Sequence, residues 1–232
     1  MKLITIGLSY YNQPKNTLIR HIEHWKQFTN KDMFSFCIVD DCSKIPAYEL
    51  LEDYDYSSID LHLYRVQEDL YCNIAGVRNL VAKECNTPYL VILDMDTIID
   101  NKMAEQLIQL ANENIDKNNT FKFNRIVPEN KFHVKNNQPH PAVCLIRKED
   151  YWNIGGCEED LVGHYGQTDP SFWHKASGIV NLIVYRDINL LYYPDAEAEI
   201  KRDVTHNTKL FEEKKKTNNW STDYIRFKWE KM

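Results

Sequence analysis

The chain opens with LITIGLS at residues 3–9, a short run rich in β-branched side chains, and from Pro14 onward Leu18, Ile22 and Trp25 recur at helical spacing. A strand followed by a helix is the simplest reading. Residues 34–39 (FSFCIV) predict a second strand that ends in Asp40-Asp41, PAYELLEDY a short helix, and LHLYRV at 61–66 a third strand. The alternation then continues. From Asn73 to Cys85 the positions Ile74, Val77, Val81 and Cys85 share one helical face, and YLVIL at 89–93 is the unbroken apolar run of a strand covered on both sides. Strands alternating with helices imply an α/β fold with a mostly parallel central sheet.

After Asp100 the spacing of Met103, Leu107, Leu110 and Ala111 predicts another helix, and the rhythm then changes to strand-like segments at 120–126, 143–146 and 179–193. The second half is built differently from the first. Between these segments lies VPENKFHVKNNQPHPA (127–142), too polar and too broken by proline to be core, and loops of this length in compact domains usually carry function. His133 and His140 lie in it and are expected to help cover a site. The expected organisation is one domain over 1–207, made of halves 1–100 and 101–207, followed by a tail at 208–232.

Composition narrows the function. The 232 residues carry a formal charge of −6, which argues against a nucleic-acid partner. The last 33 residues are +4 and the body is −10, so the tail reads as a solvated helix around Phe211–Lys216. Trp220, Tyr224, Phe227 and Trp229 add the option of a peripheral membrane or partner contact. No stretch is long and apolar enough to predict a transmembrane segment. The first ten residues lack the apolar core and cleavage site of a secretory signal, and six cysteines without a C-x-x-C pair read as reduced core thiols. Both point to a cytoplasmic setting.

The sharpest chemical signal is Leu93-Asp94-Met95-Asp96-Thr97 at the end of the apolar strand. In an extended chain Asp94 and Asp96 project from one face, and at the C-terminal edge of a parallel sheet such a pair suits a hard cation, Mn²⁺ or Mg²⁺. The competing reading is a strand-end turn in which both aspartates cap backbone amides. Three further polar clusters fall beside the same edge: Tyr10-Tyr11-Asn12, Asp40-Asp41-Cys42-Ser43 and Gly76-Val77-Arg78-Asn79. Acidic groups there can accept hydrogen bonds from a base or ribose, and Arg78 can lie against a phosphate.

YYN, V-D-D-x-S, G-x-R-N and L-D-x-D, in that order over residues 3 to about 100, resemble the family 2 glycosyltransferases, which have the GT-A (nucleotide-diphospho-sugar transferase) fold. Gly155-Gly156-Cys157-Glu158-Glu159 and Gly163-His164-Tyr165-Gly166-Gln167-Thr168-Asp169 look like the later G-G-[FY]-[DE]-E and G-x-x-x-E-D segments. The resemblance implies that Tyr10, Tyr11, Asn12, Asp40 or Asp41, Arg78, Asp94 and Met95 line a nucleotide-sugar site. It also implies that Asp94 and Asp96 hold the metal, with His206 in Val204-Thr205-His206-Asn207 as a further ligand, and that Asp169 is the catalytic base. Thr168 stands where the family often has Glu, and Cys42 where Gly is usual.

These implications describe a metal-dependent, inverting transfer of a sugar from a nucleotide-diphosphate sugar, a UDP-sugar before a GDP-sugar, to a hydroxyl of a glycan or glycoprotein acceptor. Tyr151, Trp152, Tyr165, Phe172 and Trp173 near Asp169 offer flat surfaces for sugar rings. Two alternatives stand beside it. L-D-M-D-T-I also looks like the first motif of haloacid-dehalogenase-type phosphatases, and the same site could bind a nucleotide sugar without turning it over.

Overall fold

The computed structural model describes residues 1–126, 138–196 and 200–232. The first half alternates as expected: β1 (Ile4–Tyr10), α1 (Lys15–Lys26), β2 (Phe34–Asp40), α2 (Ala47–Leu50), β3 (Leu61–Val66), α3 (Ile74–Glu84) and β4 (Tyr89–Leu93). A two-residue strand β5 (Thr97–Ile98) leads into α4 (Asn101–Glu113). Then come β6 (Asn119–Ile126), β7 (Gln138–Arg147), α5 (Lys148–Asn153), α6 (Thr168–Ala176), β8 (Asn181–Tyr192), α7 (Thr205–Thr217) and β9 (Trp229–Lys231).

All nine strands join one sheet in the order β5-β8-β6-β7-β4-β1-β2-β3-β9. Its centre, β4-β1-β2-β3, is parallel, so the C-terminal ends of these four strands open on the same edge. The second half extends the sheet differently. β7 runs antiparallel to β4, β6 antiparallel to β7, and β8 parallel to β6, which makes the whole sheet mixed. This pairing carries residues from the far half of the chain to the rim where β1, β2 and β4 end.

Two apolar layers sandwich the centre. On one side α1 turns Leu18, Ile22 and Trp25 onto β1 and β2, with the Trp25 ring stacked on Phe36 at 4.7 Å between centroids. On the other, α3 lies across β1 and β2 through Val77, Leu80 and Val81. Gly7 in β1 is required here, because a Cβ would run into the side chain of Val81. Gly7→Ala should therefore lower stability by about 1–3 kcal/mol through overpacking, read as a fall in the thermal midpoint. An unchanged midpoint would mean that α3 is not seated this closely.

All six cysteines are unpaired, and Cys37, Cys85, Cys144 and Cys157 are buried, as expected of core thiols. No helix among the described residues is long and apolar enough to cross a membrane.

The tail departs from expectation. α7 is three residues into its first turn before the body ends at 207, and the chain then folds back so that β9 pairs with β3 as the last strand of the sheet. Phe227 is buried against α3, where Gly76 leaves room for its ring, while Trp229 meets Tyr64 edge-on and Tyr224 packs on Trp152. Trp220 lies against Phe211 and His174. The four rings offered for a membrane or partner contact pack instead, in whole or in part, on the protein's own body.

Two buried carboxylates fasten this return. Glu159 accepts hydrogen bonds from the Ile225 and Arg226 amides and from the Asn79 side chain, and Glu158 accepts one from the Ser221 amide while facing Lys214. The Gly-Gly-Cys-Glu-Glu segment is therefore an anchor for the C-terminus. Buried carboxylates are tolerated only with such partners.

Candidate active site

The parallel strand ends open on a cleft of about 460 Å³ lined from both halves of the chain. Tyr10, Tyr11 and Gln13 come from the end of β1, Asp41 from the end of β2, and Asn73, Val77 and Arg78 from the start of α3. Asp94, Met95 and Asp96 form its floor. Arg125, His140, the 164–169 loop with Asp169, and Arg202 close the other side.

The two aspartates of the D-x-D segment do not lie on an extended strand. β4 ends at Leu93, and the next four residues make a turn in which the amide and hydroxyl of Thr97 both donate to the Asp94 carbonyl, at 3.0 and 2.9 Å. The turn, and not strand alternation, brings the carboxylates together. Its outer residue, Met95, is buried, and its carbonyl is held by the buried His21 ring at 3.0 Å. This fixes the turn from behind. Oxygens of Asp94 and Asp96 and a ring nitrogen of His140 lie within 4.8 Å of one another, a group able to hold a divalent cation.

Arg78 ties this floor to Asp169. Its guanidinium donates from Nη2 to Asp94 at 2.8 Å and from Nη1 to Asp169 at 2.6 Å, and its side chain is almost wholly buried. Burial works against a charge on Asp94, but the neighbouring Arg78 outweighs it and holds the carboxyl below the usual carboxylate range. Asp169 reaches Arg78 because Gly163, Gly166 and Gln167 all take positive φ (91°, 94° and 65°) and turn the chain sharply into α6. Asp169 sits in the first turn of that helix, and the helix N-cap is Gln167.

Asp40 and Asp41 divide their duties. Asp40 is buried and serves the chain itself, accepting from the Ser43 and Ala47 amides and pairing with Arg65 at 2.8 Å, and it does not line the cleft. Asp41 does, with one oxygen held by Asn73 at 3.1 Å. Burial pushes its carboxyl up to about 7. Cys42, directly after these two aspartates, takes φ +58°, the left-handed region that favours glycine.

Asn12 has φ +57° and knits the ends of β1 and β2 together: its amide donates to Ser43 Oγ, and its side chain accepts from the Lys44 amide. It is a bracket behind the cleft and not part of the lining. Tyr11 lines the rim, whereas the buried Tyr10 commits its hydroxyl to the Gln13 carbonyl.

His206 is not among the grouped donors. It is exposed on α7, with its ring stacked on His164 at 3.7 Å, and the imidazole beside the aspartates is that of His140. His133 lies outside the described residues. Of the aromatic group, only Tyr165 lines the cleft; Tyr151 and Phe172 are core, and Trp173 spends its ring N–H on the Pro141 carbonyl.

The family model for glycosyl transferase family 2 matches residues 5–163, more than half of the chain. The chain belongs to that family. No curated protein is a significant match. Among solved structures, S. aureus TarS 1–349 in complex with UDP-GlcNAc is 18% identical with a TM-score of 0.66, the alignment covering 87% of this chain. The mannosyltransferase PcManGT from Pyrobaculum calidifontis, in complex with GDP-Man and Mn²⁺, is 15% identical with a TM-score of 0.63 over 90% of this chain. The chain spans 60% of the length of each. The family 2 fold is thus GT-A, as the motifs implied. The likeness of L-D-M-D-T-I to haloacid-dehalogenase phosphatases does not hold, since the segment follows the fourth strand of a family 2 domain.

Proposed function

We propose that this protein transfers a sugar, with inversion, from a nucleoside diphosphate sugar to an acceptor hydroxyl, using a divalent cation, Mn²⁺ or Mg²⁺, at Asp94 and Asp96. The observation that carries this reading is the Arg78 bridge. One buried guanidinium joins a floor carboxylate, Asp94, to a second carboxylate, Asp169, across a cleft large enough for a nucleotide sugar. A cation bound at the floor supplies Lewis-acid stabilisation of the leaving diphosphate, worth several kcal/mol.

The chain's own groups supply the rest. Arg78 adds fixed positive charge where the departing phosphate gains negative charge, and it already stands in low-dielectric surroundings where that charge counts most. With Oδ1 of Asp169 on Arg78, Oδ2 takes the proton from the acceptor hydroxyl as that oxygen bonds to the anomeric carbon and the carbon–phosphate oxygen bond breaks. A base on the face opposite the leaving group gives a single displacement and inverted configuration. The structures of similar fold that hold UDP-GlcNAc or GDP-Man with Mn²⁺ support a nucleotide-sugar donor, and within that class our reading places a uridine base before a guanosine one.

The test is a screen of UDP- and GDP-sugars for Mn²⁺-dependent hydrolysis by the wild type and by Asp169→Asn. Release of nucleoside diphosphate by the wild type, cut at least 100-fold in the variant with donor affinity kept, supports transfer. Donor binding without turnover in both proteins would reduce the site to a binding module.

Asp41 gives a pH signature. An ionised carboxylate accepts the imide N–H of a base more strongly than a neutral carboxyl does, and burial pushes this one up to about 7. UDP affinity should therefore rise as pH goes from 6 to 8, and Asp41→Asn should flatten the profile. The sign for stability is opposite: a raised folded-state pKa costs stability as pH climbs from about 4 toward 7. A wild-type affinity independent of pH over that window would remove Asp41 from the base contact.

A further inference from the structure

The imidazole of His140 stands beside the two aspartates, yet the hydrogen bonds its ring accepts are not those of a metal ligand. Nδ1 accepts from two backbone amides, Ala142 at 3.2 Å and Val143 at 3.1 Å. A nitrogen that accepts two N–H bonds carries no proton, so the neutral ring keeps its hydrogen on Nε2. Nε2 is the nitrogen that faces Asp96, at 3.5 Å from Oδ1. Coordination through Nε2 would demand the opposite tautomer, with an Nδ1–H pointing into two amide hydrogens. Histidines that bind metals almost always donate their second ring N–H to a carbonyl, carboxylate or water. Here, among the described residues, that second nitrogen meets donors only.

The ring has little freedom to escape this arrangement. His140 is 2% exposed at the start of β7, and the amides that fix it belong to the same strand where it pairs beside β4. Turning the ring over would place a carbon against the two amides and lose both bonds.

We propose that His140 is a neutral Nε2–H donor aimed at the floor of the cleft. It lies 3.5 Å from Asp96 Oδ1, and it donates to a diphosphate oxygen when the nucleotide is bound. The cation is then held by the two carboxylates, with its remaining positions left to phosphate oxygens and water. This rests on the nucleotide-sugar and metal reading above and deepens it by assigning the roles around the cation.

Two measurements test it. In metal-free protein labelled with ¹⁵N-histidine, NMR should give His140 an unprotonated Nδ1 and a protonated Nε2; an Nδ1–H form overturns the proposal. In Mn²⁺-loaded protein with UDP, pulsed EPR should show no directly coordinated imidazole nitrogen. A nitrogen coupling that disappears in His140→Gln overturns the assignment. Mg²⁺–UDP affinity should fall about 10- to 100-fold in His140→Ala, the range for a lost hydrogen bond to a charged group, with partial recovery in His140→Gln, which keeps an N–H donor. Equal affinity in all three proteins contradicts the diphosphate contact. Should wild-type protein bind neither Mn²⁺ nor UDP, the reading of the cleft fails, and the ¹⁵N measurement alone still decides the tautomer.

Discussion

Arg78→Ala should cut donor turnover by at least 1,000-fold and also lower stability by about 3 kcal/mol, because it leaves Asp94 and Asp169 facing each other without their shared cation. For a domain of this size that is a fall of roughly 6–12 °C in the thermal midpoint. Arg78→Lys should not restore activity. One ammonium cannot replace a fork whose two nitrogens, Nη1 and Nη2, reach separate carboxylates. The variant also changes the acid profile. Asp94 has a depressed pKa in the folded state, so its contribution is fully present above the unfolded value of about 3.9 and is lost as pH falls through the lower folded one. Removing Arg78 removes the cause of that depression, and the acid-side stability of the variant should weaken at higher pH than in the wild type. Parallel acid melts, with activity measured alongside, separate the two effects; a variant with wild-type turnover would dismiss Arg78 as the link between floor and base.

Deleting residues 218–232 should leave a chain with no cooperative thermal transition, or one recovered only in the insoluble fraction. The sequence alone reads this tail as a solvated helix, rich in lysine and aromatic rings. In the fold the deletion strips β9 from the edge of β3, uncovers the Phe227 site on α3, and takes from the buried Glu158 and Glu159 the Ser221, Ile225 and Arg226 amides that satisfy them. Phe227 alone accounts for about 1.5–3 kcal/mol of burial, and the buried carboxylates, left with Asn79 and Lys214 as partners, lose about 1–3 kcal/mol each. Total stability of a domain is only about 5–15 kcal/mol. A milder form separates packing from pairing: Phe227→Ala should lower the midpoint while retaining nucleotide binding. A truncated protein that melts as sharply and as high as the wild type would show that the tail is an accessory after all.

The parts of this fold that could be read in advance are those governed by local rules. β1 to β4 and their helices follow from apolar periodicity, and the sharp chain path before Asp169 from Gly163 and Gly166. Asp94, Asp96, Arg78 and Asp169, which the structure brings to one cleft, each lie in a short segment whose residue types already suit the chemistry. His140 carries no such local signal. It lies 44 residues beyond Asp96 and reaches it only because β7 pairs antiparallel with β4, a long-range choice that periodicity does not encode. His206 misled for the same reason, since a histidine's neighbours in sequence say little about its neighbours in space. Asp40 and Asp41 look equivalent on paper; the direction of each carboxylate at the strand end sends one to the backbone and the other to the cleft. The tail's aromatic residues read as exposed because the acidic anchors that hold them lie more than 60 residues upstream.

The most direct measurement is a crystal grown with Mn²⁺ and UDP, with data collected for the anomalous signal of manganese. The expected map has a manganese peak between the Asp94 and Asp96 carboxylates, diphosphate oxygens on that peak, and the uracil ring toward Asp41. A map in which UDP fills the cleft while no manganese lies beside either aspartate would contradict the account.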